Sequence, residues 1–238
     1  SLARKPKRQG EKMMKNICPS YTFPTSVSAF SNRGANIAFV DVEPGTMNIC
    51  ADSIERAVNA STKAIVVVHY GGVAVDMDRI LEIAVKHNLF VIEDAAQALG
   101  SEYRKKPLGS IGDVGCFSFH ETKNVISGEG GALLVNDPAL IVRAEIIREK
   151  GTDRSRFFRG EVDKYTWQEV GSSFLPGELI AAFLYAQLEE AERITDERLA
   201  IWQRYHELLK PLEAKGLIRR PIVPEECQHN GHMYYVLL

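Results

Sequence analysis

The feature that most constrains the fold is an alternation of β-branched runs with amphipathic segments between residues 37 and 93. Runs rich in Val and Ile alternate with stretches in which apolar residues recur every three or four positions, as in strand–helix–strand units. The strand candidates are residues 37–42, 64–70 and 89–93, and the helix candidates are residues 52–59 and 77–88. Residues 65–68 are all Ile or Val, which is typical of a strand buried on both faces. The sequence therefore predicts an α/β fold with a mostly parallel central sheet flanked by helices.

Further strand signals follow in the middle of the chain. Residues 114–119 and 131–135 are strand candidates, and they bracket a glycine-rich loop at 127–131 that is expected to reverse the chain tightly. This loop lacks the Lys-Ser/Thr ending of a P-loop and precedes a strand, so it is interpreted as a turn. Residues 151–171 are polar and aperiodic and are predicted to run over the surface.

Helix signals dominate the last hundred residues. Asp137 and Pro138 have the N-cap and first-turn character of a helix that Gly151 would close. A long helical stretch, residues 178–215, is expected to be broken once and to bridge two domains. Residues 217–222 and 233–238 are the final strand candidates.

Composition narrows the classes of partner. The chain has 238 residues, of which 45% are hydrophobic and 25% charged, and its formal net charge is -2 with a pI of about 6.3. This balance does not attract nucleic acid or anionic lipid, so a small-molecule partner is predicted. Residues 1–15 carry six basic side chains and one acidic side chain. We expect a solvated tail there; a nucleic-acid arm is the alternative, and the absence of interleaved aromatic residues disfavours it.

The spacing of cysteine and histidine favours a cytoplasmic protein without a metal. The four cysteines are Cys18, Cys50, Cys116 and Cys227, and they lack the paired spacing of zinc or disulfide frameworks. His69, His120 and His232 also lack a metal-ligand spacing, although any of them could contact a substrate. No apolar run approaches the roughly 20 residues that cross a bilayer, so no membrane partner is expected.

Two positions carry chemistry of interest. Asp94 follows a buried strand candidate, where open α/β sheets bind ligands, although an Asp there is more often a turn or helix cap. Lys123 follows the strand at 114–119 and precedes the glycine-rich loop, although most lysines simply face solvent. Neither position identifies a site without its neighbours.

The neighbours resemble a known family. Residues 93–97 (EDAAQ), 118–124 (SFHETKN) and 128–131 (GEGG) resemble, in order and spacing, the pyridoxal 5'-phosphate (PLP) dependent sugar aminotransferases of the DegT/StrS type. Residues 19–23 (PSYTF) and 39–42 (FVDV) are similar to it as well. The resemblance implies an aspartate-aminotransferase-like fold (PLP fold type I).

The resemblance also implies a role for each of six residues. Lys123 would be the catalytic lysine, bonding the cofactor aldehyde and moving a proton. Asp94 would keep the ring nitrogen protonated, because a close carboxylate favours the charged form. Gln97 would bond the ring hydroxyl oxygen, Ser118 the phosphate, and Phe23 would stack on the ring. Ser173 would reach the phosphate of a neighbouring copy, where many relatives have Asn. Turn, strand and core roles are the alternatives for Gln97, Ser118 and Phe23.

Domain boundaries follow from the same resemblance. Residues 1–16 are expected to be a basic tail that does not match the family, residues 17–175 a partial large PLP-binding domain, and residues 176–238 an interdomain helix with the start of a small C-terminal α/β domain. The chain is expected to lack a first lobe and the end of the small domain. A homodimer is expected if those lobes are present.

The implied function is transfer of an amino group, from L-glutamate, to the 4-keto carbon of a dTDP-4-keto-6-deoxyhexose. Residues 151–155 and 162–167 resemble the subgroup that makes dTDP-4-amino-4,6-dideoxygalactose for surface polysaccharides. An inactive remnant that acts as a binding or interaction module is one alternative. A PLP-dependent sugar dehydratase is another, which Lys123 disfavours because such relatives typically lack the lysine.

Overall fold

A computed structural model describes residues 14–238 of the chain. The basic segment predicted over residues 1–16 therefore lies mostly outside the described residues. Its last two residues, Lys15 and Asn16, open the first strand of the central sheet. None of the helices in residues 14–238 combines the length and hydropathy needed to cross a membrane.

Strands and helices alternate between residues 15 and 94, four further strands follow up to residue 135, and helices predominate after that. The strands are β1 (Lys15–Pro19), β2 (Asn36–Val40), β3 (Thr62–Val68), β4 (Phe90–Asp94), β5 (Glu102–Tyr103), β6 (Lys106–Pro107), β7 (Val114–Ser118), β8 (Gly131–Val135) and β9 (Cys227–Gln228). The helices are α1 (Thr25–Asn32), α2 (Ala51–Ala57), α3 (Met77–His87), α4 (Ile141–Arg148), α5 (Arg154–Phe158), α6 (Glu178–Glu189) and α7 (Ala191–Ala214). Short 3₁₀ turns occupy Tyr70–Gly72 and Pro138–Leu140.

The central sheet confirms the α/β prediction. Its six strands have the order β2-β1-β3-β4-β7-β8, in which β8 pairs antiparallel to β7 and the other neighbours are parallel. The chain leaves β1 toward β2 on one side and then returns to place β3 on the other side. Strand order therefore reverses between β1 and β3, which opens a crevice at their carboxyl ends.

The core lies between this sheet and α2 and α3. Helix α3 shows why the amphipathic pattern is informative: Met77, Ile80 and Ile83 recur on one face and are at most 1% exposed. The Asp76 side chain accepts a hydrogen bond from the Arg79 backbone nitrogen (3.2 Å), which caps the first turn. The core thus fixes the sheet from one side.

The long helical stretch is broken once, as predicted. Helix α6 ends at Glu189 and α7 begins at Ala191, with Glu190 outside helical geometry between them. The domain boundary at residue 175 stays a prediction.

The two final strand predictions are wrong. Residues 217–222 and 233–238 form a single antiparallel bridge between Arg219 and Leu237 instead of paired strands. Pro221 lacks the backbone N–H that a ladder needs, which limits the pairing of residues 217–222 beyond that bridge. The nearby strand β9 pairs with β5 rather than with either predicted segment.

Candidate functional site

A cavity of about 940 Å³ opens at the carboxyl ends of β1, β3, β4 and β7. Its position coincides with the reversal of strand order, where open α/β sheets bind ligands. Among the residues that line it are Phe23, Asp94, Gln97, Ser118 and Lys123. A second cavity, of about 560 Å³, lies against α7 and residues 220–223 and includes none of the predicted site residues.

Lys123 lies on a short connection between β7 and β8. Backbone hydrogen bonds close this connection, from Ser127 N to Phe119 O (2.7 Å) and from Lys123 N to His120 O (2.9 Å). Burial lowers the pKa of the Lys123 amine, and the negative charge of Asp94 opposes part of that effect. A larger fraction of this amine is therefore unprotonated than in a solvent-exposed lysine.

Asp94 ends β4 and is held on both carboxylate oxygens. Ser26 Oγ donates to Oδ2 (2.6 Å), and the Ala96 backbone nitrogen donates to Oδ1 (3.1 Å). Thr22 Oγ1 lies 2.8 Å from Ser26 Oγ and extends the network to the start of α1. Asp94 therefore has both of the roles considered from the sequence: its carboxylate caps the turn at Ala96, and it lines the cavity.

Gln97 has an orientation that its partners determine. Its Oε1 accepts a hydrogen bond from the Gly71 backbone nitrogen (2.6 Å), so its Nε2 is the group left to donate to a ligand. Its backbone oxygen accepts from Asn230 Nδ2 (2.9 Å). The side chain thus connects the cavity to the turn that follows β3.

Ser118 and Phe23 both line the cavity. Ser118 Oγ accepts a hydrogen bond from the His120 backbone nitrogen (3.3 Å), which leaves its hydroxyl hydrogen available to an anion. Phe23 lies between β1 and α1 and is 70% exposed, so its ring has an open face. A partly solvated aromatic ring at a cavity is available for stacking.

Ser173 is not brought to this cavity. It is exposed, and it forms an isolated antiparallel bridge with Glu149 beyond the end of α4. The structure therefore gathers five of the six predicted site residues and leaves the sixth on another surface. Its predicted contact with a neighbouring copy stays a prediction.

Sequence reasoning missed two polar contacts of the site. Ser26 was not singled out, although Thr22 and Ser26 are spaced four apart, as on one face of a helix. The hydroxyls of Tyr21 and Tyr70 lie 3.1 Å apart at the cavity wall, and their rings are 5.1 Å apart. Tyr21 belongs to the 19–23 motif, whereas nothing local in the sequence indicates that Tyr70 meets it.

The three histidines singled out from the sequence have different surroundings. His69 is fully buried, with its Nε2 atom 2.9 Å from Glu93 Oε2, and it does not line the cavity. His120 does line it. His232 is buried with Nδ1 2.8 Å from Asn124 Oδ1, next in sequence to Lys123. Burial lowers the pKa of His232 to about 4, and the positive charge of Lys123 adds to the effect. Within residues 14–238, no three His, Cys, Asp or Glu side chains are grouped to hold a metal ion.

Comparison with known proteins gives consistent matches. The sequence pattern of the DegT/DnrJ/EryC1/StrS aminotransferase family matches residues 10–238. GDP-perosamine synthase from Caulobacter vibrioides is 38% identical over 226 residues, which cover 93% of this chain and 57% of that protein. The aminotransferase from Psychrobacter cryohalolentis has a TM-score of 0.88 at 33% identity and covers 94% of this chain and 59% of its own. DesI, solved in the presence of its TDP-sugar product, has a TM-score of 0.81 at 28% identity and covers 94% of this chain and 54% of its own.

The relatives are longer than this chain. The chain spans between 52% and 58% of the length of five curated relatives that it matches. The match to the family begins at residue 10, inside the basic segment.

Proposed function

The chain belongs to the DegT/DnrJ/EryC1/StrS aminotransferase family, and we propose on that basis that it binds PLP at Lys123 and transfers an amino group to the keto carbon of a nucleotide-linked sugar. The observation that carries the proposal is that Lys123 and Asp94 line one cavity and that the negative charge of Asp94 acts on the Lys123 amine, raising its pKa against the effect of burial. A partly buried amine beside a carboxylate is the pair that this chemistry needs.

The residues of the cavity fit the cofactor. Asp94 supplies a carboxylate for the ring nitrogen, Gln97 an amide donor for the ring oxygen, and Ser118 a hydroxyl donor for the phosphate. Phe23 supplies an aromatic face beside them. When bound, PLP supplies an aldehyde that bonds amines and a protonated ring that accepts electrons from the neighbouring carbon.

Lys123 would act through its Nζ atom. Because burial lowers its pKa, Nζ is more readily a free amine, which can bond a carbonyl carbon and accept a proton. The closed connection between β7 and β8 restricts where Nζ can reach. The same atom would therefore move a proton within the cavity and deliver it to the former keto carbon of the sugar.

Asp94 would act through its charge. Its hydrogen bonds from Ser26 and Ala96 hold the carboxylate in one orientation. A fixed negative charge keeps a nearby ring nitrogen protonated without having to reorient during the reaction. Ser26 is thus a positioning residue for Asp94.

We further propose L-glutamate as the amino donor and a dTDP-4-keto-6-deoxyhexose as the acceptor. The motifs at 151–155 and 162–167 support the dTDP sugar, whereas GDP-perosamine synthase is named for a GDP sugar. The product would be a dTDP-4-amino-4,6-dideoxyhexose of the kind that supplies surface polysaccharides, made in the cytoplasm.

The first experiment is a visible absorption titration of the chain with PLP. We expect the wild-type chain to give an absorption band at a longer wavelength than free PLP. The band should be absent in Lys123→Ala and retained in Lys105→Ala, which changes an exposed lysine. Retention of the band in Lys123→Ala would reject the lysine assignment. No band in any protein would reject cofactor binding by this chain and favour the binding-module alternative.

The second experiment identifies the reaction and the sugar. The PLP-loaded chain and L-glutamate are incubated separately with dTDP-4-keto-6-deoxyglucose and GDP-4-keto-6-deoxymannose, and the products are identified by mass. Formation of an amino sugar from the dTDP substrate supports the proposed acceptor. Formation of an amino sugar from only the GDP substrate would mean that the acceptor is a GDP sugar instead. A product that has lost a hydroxyl group instead would indicate the dehydratase.

A further inference from the structure

Glu93 and His69 are buried ionisable side chains that the proposed reaction does not use. Both are fully buried, at 0% exposure, and Glu93 Oε2 lies 2.9 Å from His69 Nε2. Glu93 precedes Asp94 on β4, so its side chain points to the opposite face of the sheet from the cavity. The pair is therefore adjacent to the site without contacting a ligand.

The Glu93 carboxylate accepts four hydrogen bonds. Its Oε1 accepts from the backbone nitrogens of Ile111 (2.7 Å) and Gly112 (2.6 Å), and its Oε2 accepts from Gly109 N (2.8 Å) and His69. Burial by itself raises the pKa of Glu93, but the hydrogen bond and charge of His69 and the backbone donors outweigh it and leave the pKa lowered. The carboxylate is thus ionised and fully partnered.

His69 connects this carboxylate to the turn after β3. Its Nδ1 accepts a hydrogen bond from the Val75 backbone nitrogen (3.2 Å), so Nε2 carries the proton that Glu93 accepts. Its own backbone nitrogen donates to Asp94 O (3.2 Å). His69 therefore fixes both ends of residues 69–75 relative to the end of β4.

The turn held by His69 determines how Gln97 is oriented. Gly71 has a φ of 64°, a left-handed conformation that favours glycine, and its backbone nitrogen points to Gln97 Oε1 (2.6 Å). If the turn moved, Gln97 would lose this donor, and its amide could rotate with little penalty. The chain of contacts runs from Glu93 through His69 and Gly71 to Gln97.

We propose that Glu93 and His69 are a positioning pair that orients Gln97, so that its Nε2 faces the ring oxygen of PLP. The inference rests on the proposed function, because PLP is the ligand whose binding it explains. Neither residue touches the cofactor. Their effect is transmitted through the backbone of the turn.

Glu93→Gln is the variant that tests the pair most directly. Each carboxylate oxygen accepts from two donors, so an amide nitrogen in either place would face at least one N–H group. His69→Gln is a milder second variant, because its amide can still donate to Glu93. Asp113→Asn is the matched control: the Asp113 carboxylate accepts from Val91 N (2.7 Å), at the part of β4 away from the cavity.

The first measurement is PLP affinity by absorption titration. We expect Glu93→Gln to weaken binding by about tenfold, His69→Gln to weaken it less, and Asp113→Asn to leave it near the wild-type value. In a Gln97→Leu background, Glu93→Gln should have little further effect, because the positioned group is gone. Equal effects of Glu93→Gln with and without Gln97 would overturn the proposal.

The second measurement does not need the cofactor. Hydrogen exchange of the backbone amides in residues 69–75 should be faster in Glu93→Gln than in the wild type and in Asp113→Asn. Unchanged exchange there would overturn the inference even if PLP binds normally. If no protein binds PLP but exchange changes as expected, the positioning contacts stand and the cofactor proposal fails. If Glu93→Gln does not fold, the same two measurements on His69→Gln decide.

Discussion

Asp94 carries two hydrogen bonds that hold its carboxylate in place before any ligand arrives. Its neighbour Glu93 has the same charge and more partners but faces the other side of the sheet. Because successive side chains of a strand point to opposite faces, Asp94 faces the cavity and Glu93 is buried on the other side of the sheet. The sequence placed both at a strand end, and the contacts show which one faces the cavity.

At the scale of residues, Asp94→Asn should reduce amino transfer about a hundredfold or more, because a neutral amide does not hold the ring nitrogen protonated. The rate is measured by product formation at saturating PLP. Asp113→Asn makes the same chemical change just before β7, at a carboxylate that accepts from Val91 N of β4, and should keep most of the activity. Similar losses in both variants would mean that Asp94 matters only for folding.

His232 should make stability depend on pH. Its pKa of about 4 in the folded chain is below the ordinary value of 6.5, so the unfolded chain binds a proton first as pH falls. Stability from this group is present above about pH 6.5 and is lost toward pH 4, by about 2 kcal/mol between pH 7 and pH 5. Urea unfolding at both pH values measures the change.

The control for this prediction is His232→Asn, whose amide can replace the Nδ1 donor to Asn124 but does not titrate. Burial also lowers the pKa values of His206 and His229, so both proteins should share part of the slope. A slope in the variant as steep as in the wild type would show that His232 is not its source.

At the scale of elements, the cap of α3 gives a stability prediction. Asp76→Ala removes the hydrogen bond to the Arg79 backbone nitrogen and the partner of the Tyr103 hydroxyl (3.2 Å). The expected loss is about 1–2 kcal/mol of the free energy of unfolding, measured by urea denaturation. Asp78→Ala, an exposed change in the same turn, should cost less than about 0.5 kcal/mol. Equal costs would contradict the cap.

Periodicity predicted the elements of the sheet well because each has a clear local cause. Strand β8 begins and ends at the predicted residues, and α3 follows its apolar face and cap. Of the two final strand predictions, residues 217–222 contain Pro221, which lacks a backbone donor, and residues 233–238 are left with the single bridge between Leu237 and Arg219. Local patterns therefore indicated where strands could form but not which partners they would have.

The candidate site could be predicted where motifs carried it. Asp94, Gln97 and Lys123 were found from motifs and meet at one cavity. Ser26 and the Tyr21–Tyr70 pair could not be found in this way, because their contacts depend on how distant segments approach across the crevice. Such contacts are properties of the folded chain rather than of any short segment.

At the scale of the whole molecule, α6 exposes apolar side chains to solvent. Leu179 is 88% exposed and Phe183 is 51% exposed, and Ser173, which we propose to reach a neighbouring copy, lies just before the helix. Exposed apolar surface of this kind marks protein–protein interfaces. We therefore expect a homodimer in which this helix is covered by the second copy.

Sedimentation velocity tests the dimer. Leu179→Glu should shift the wild-type dimer toward monomer, because a charge replaces an apolar contact. Val85→Glu, at an 83% exposed position on α3, should leave the sedimentation coefficient unchanged. A wild-type chain that sediments as a monomer, or a dimer that both variants leave intact, would reject this surface as the interface.

The connection that carries Lys123 joins antiparallel neighbours, β7 and β8, so it needs no crossover helix. The backbone hydrogen bonds that close it lie within residues 114–135, and Asn124 adds side-chain contacts to the distant Asn230 and His232. Contacts of short sequence separation form quickly and independently of distant segments. Lys123, the proposed reactive lysine, is thus on a connection whose backbone is closed by local contacts, and we expect substitutions in the other cavity walls, which are built from distant segments, to change which sugar is admitted without displacing it.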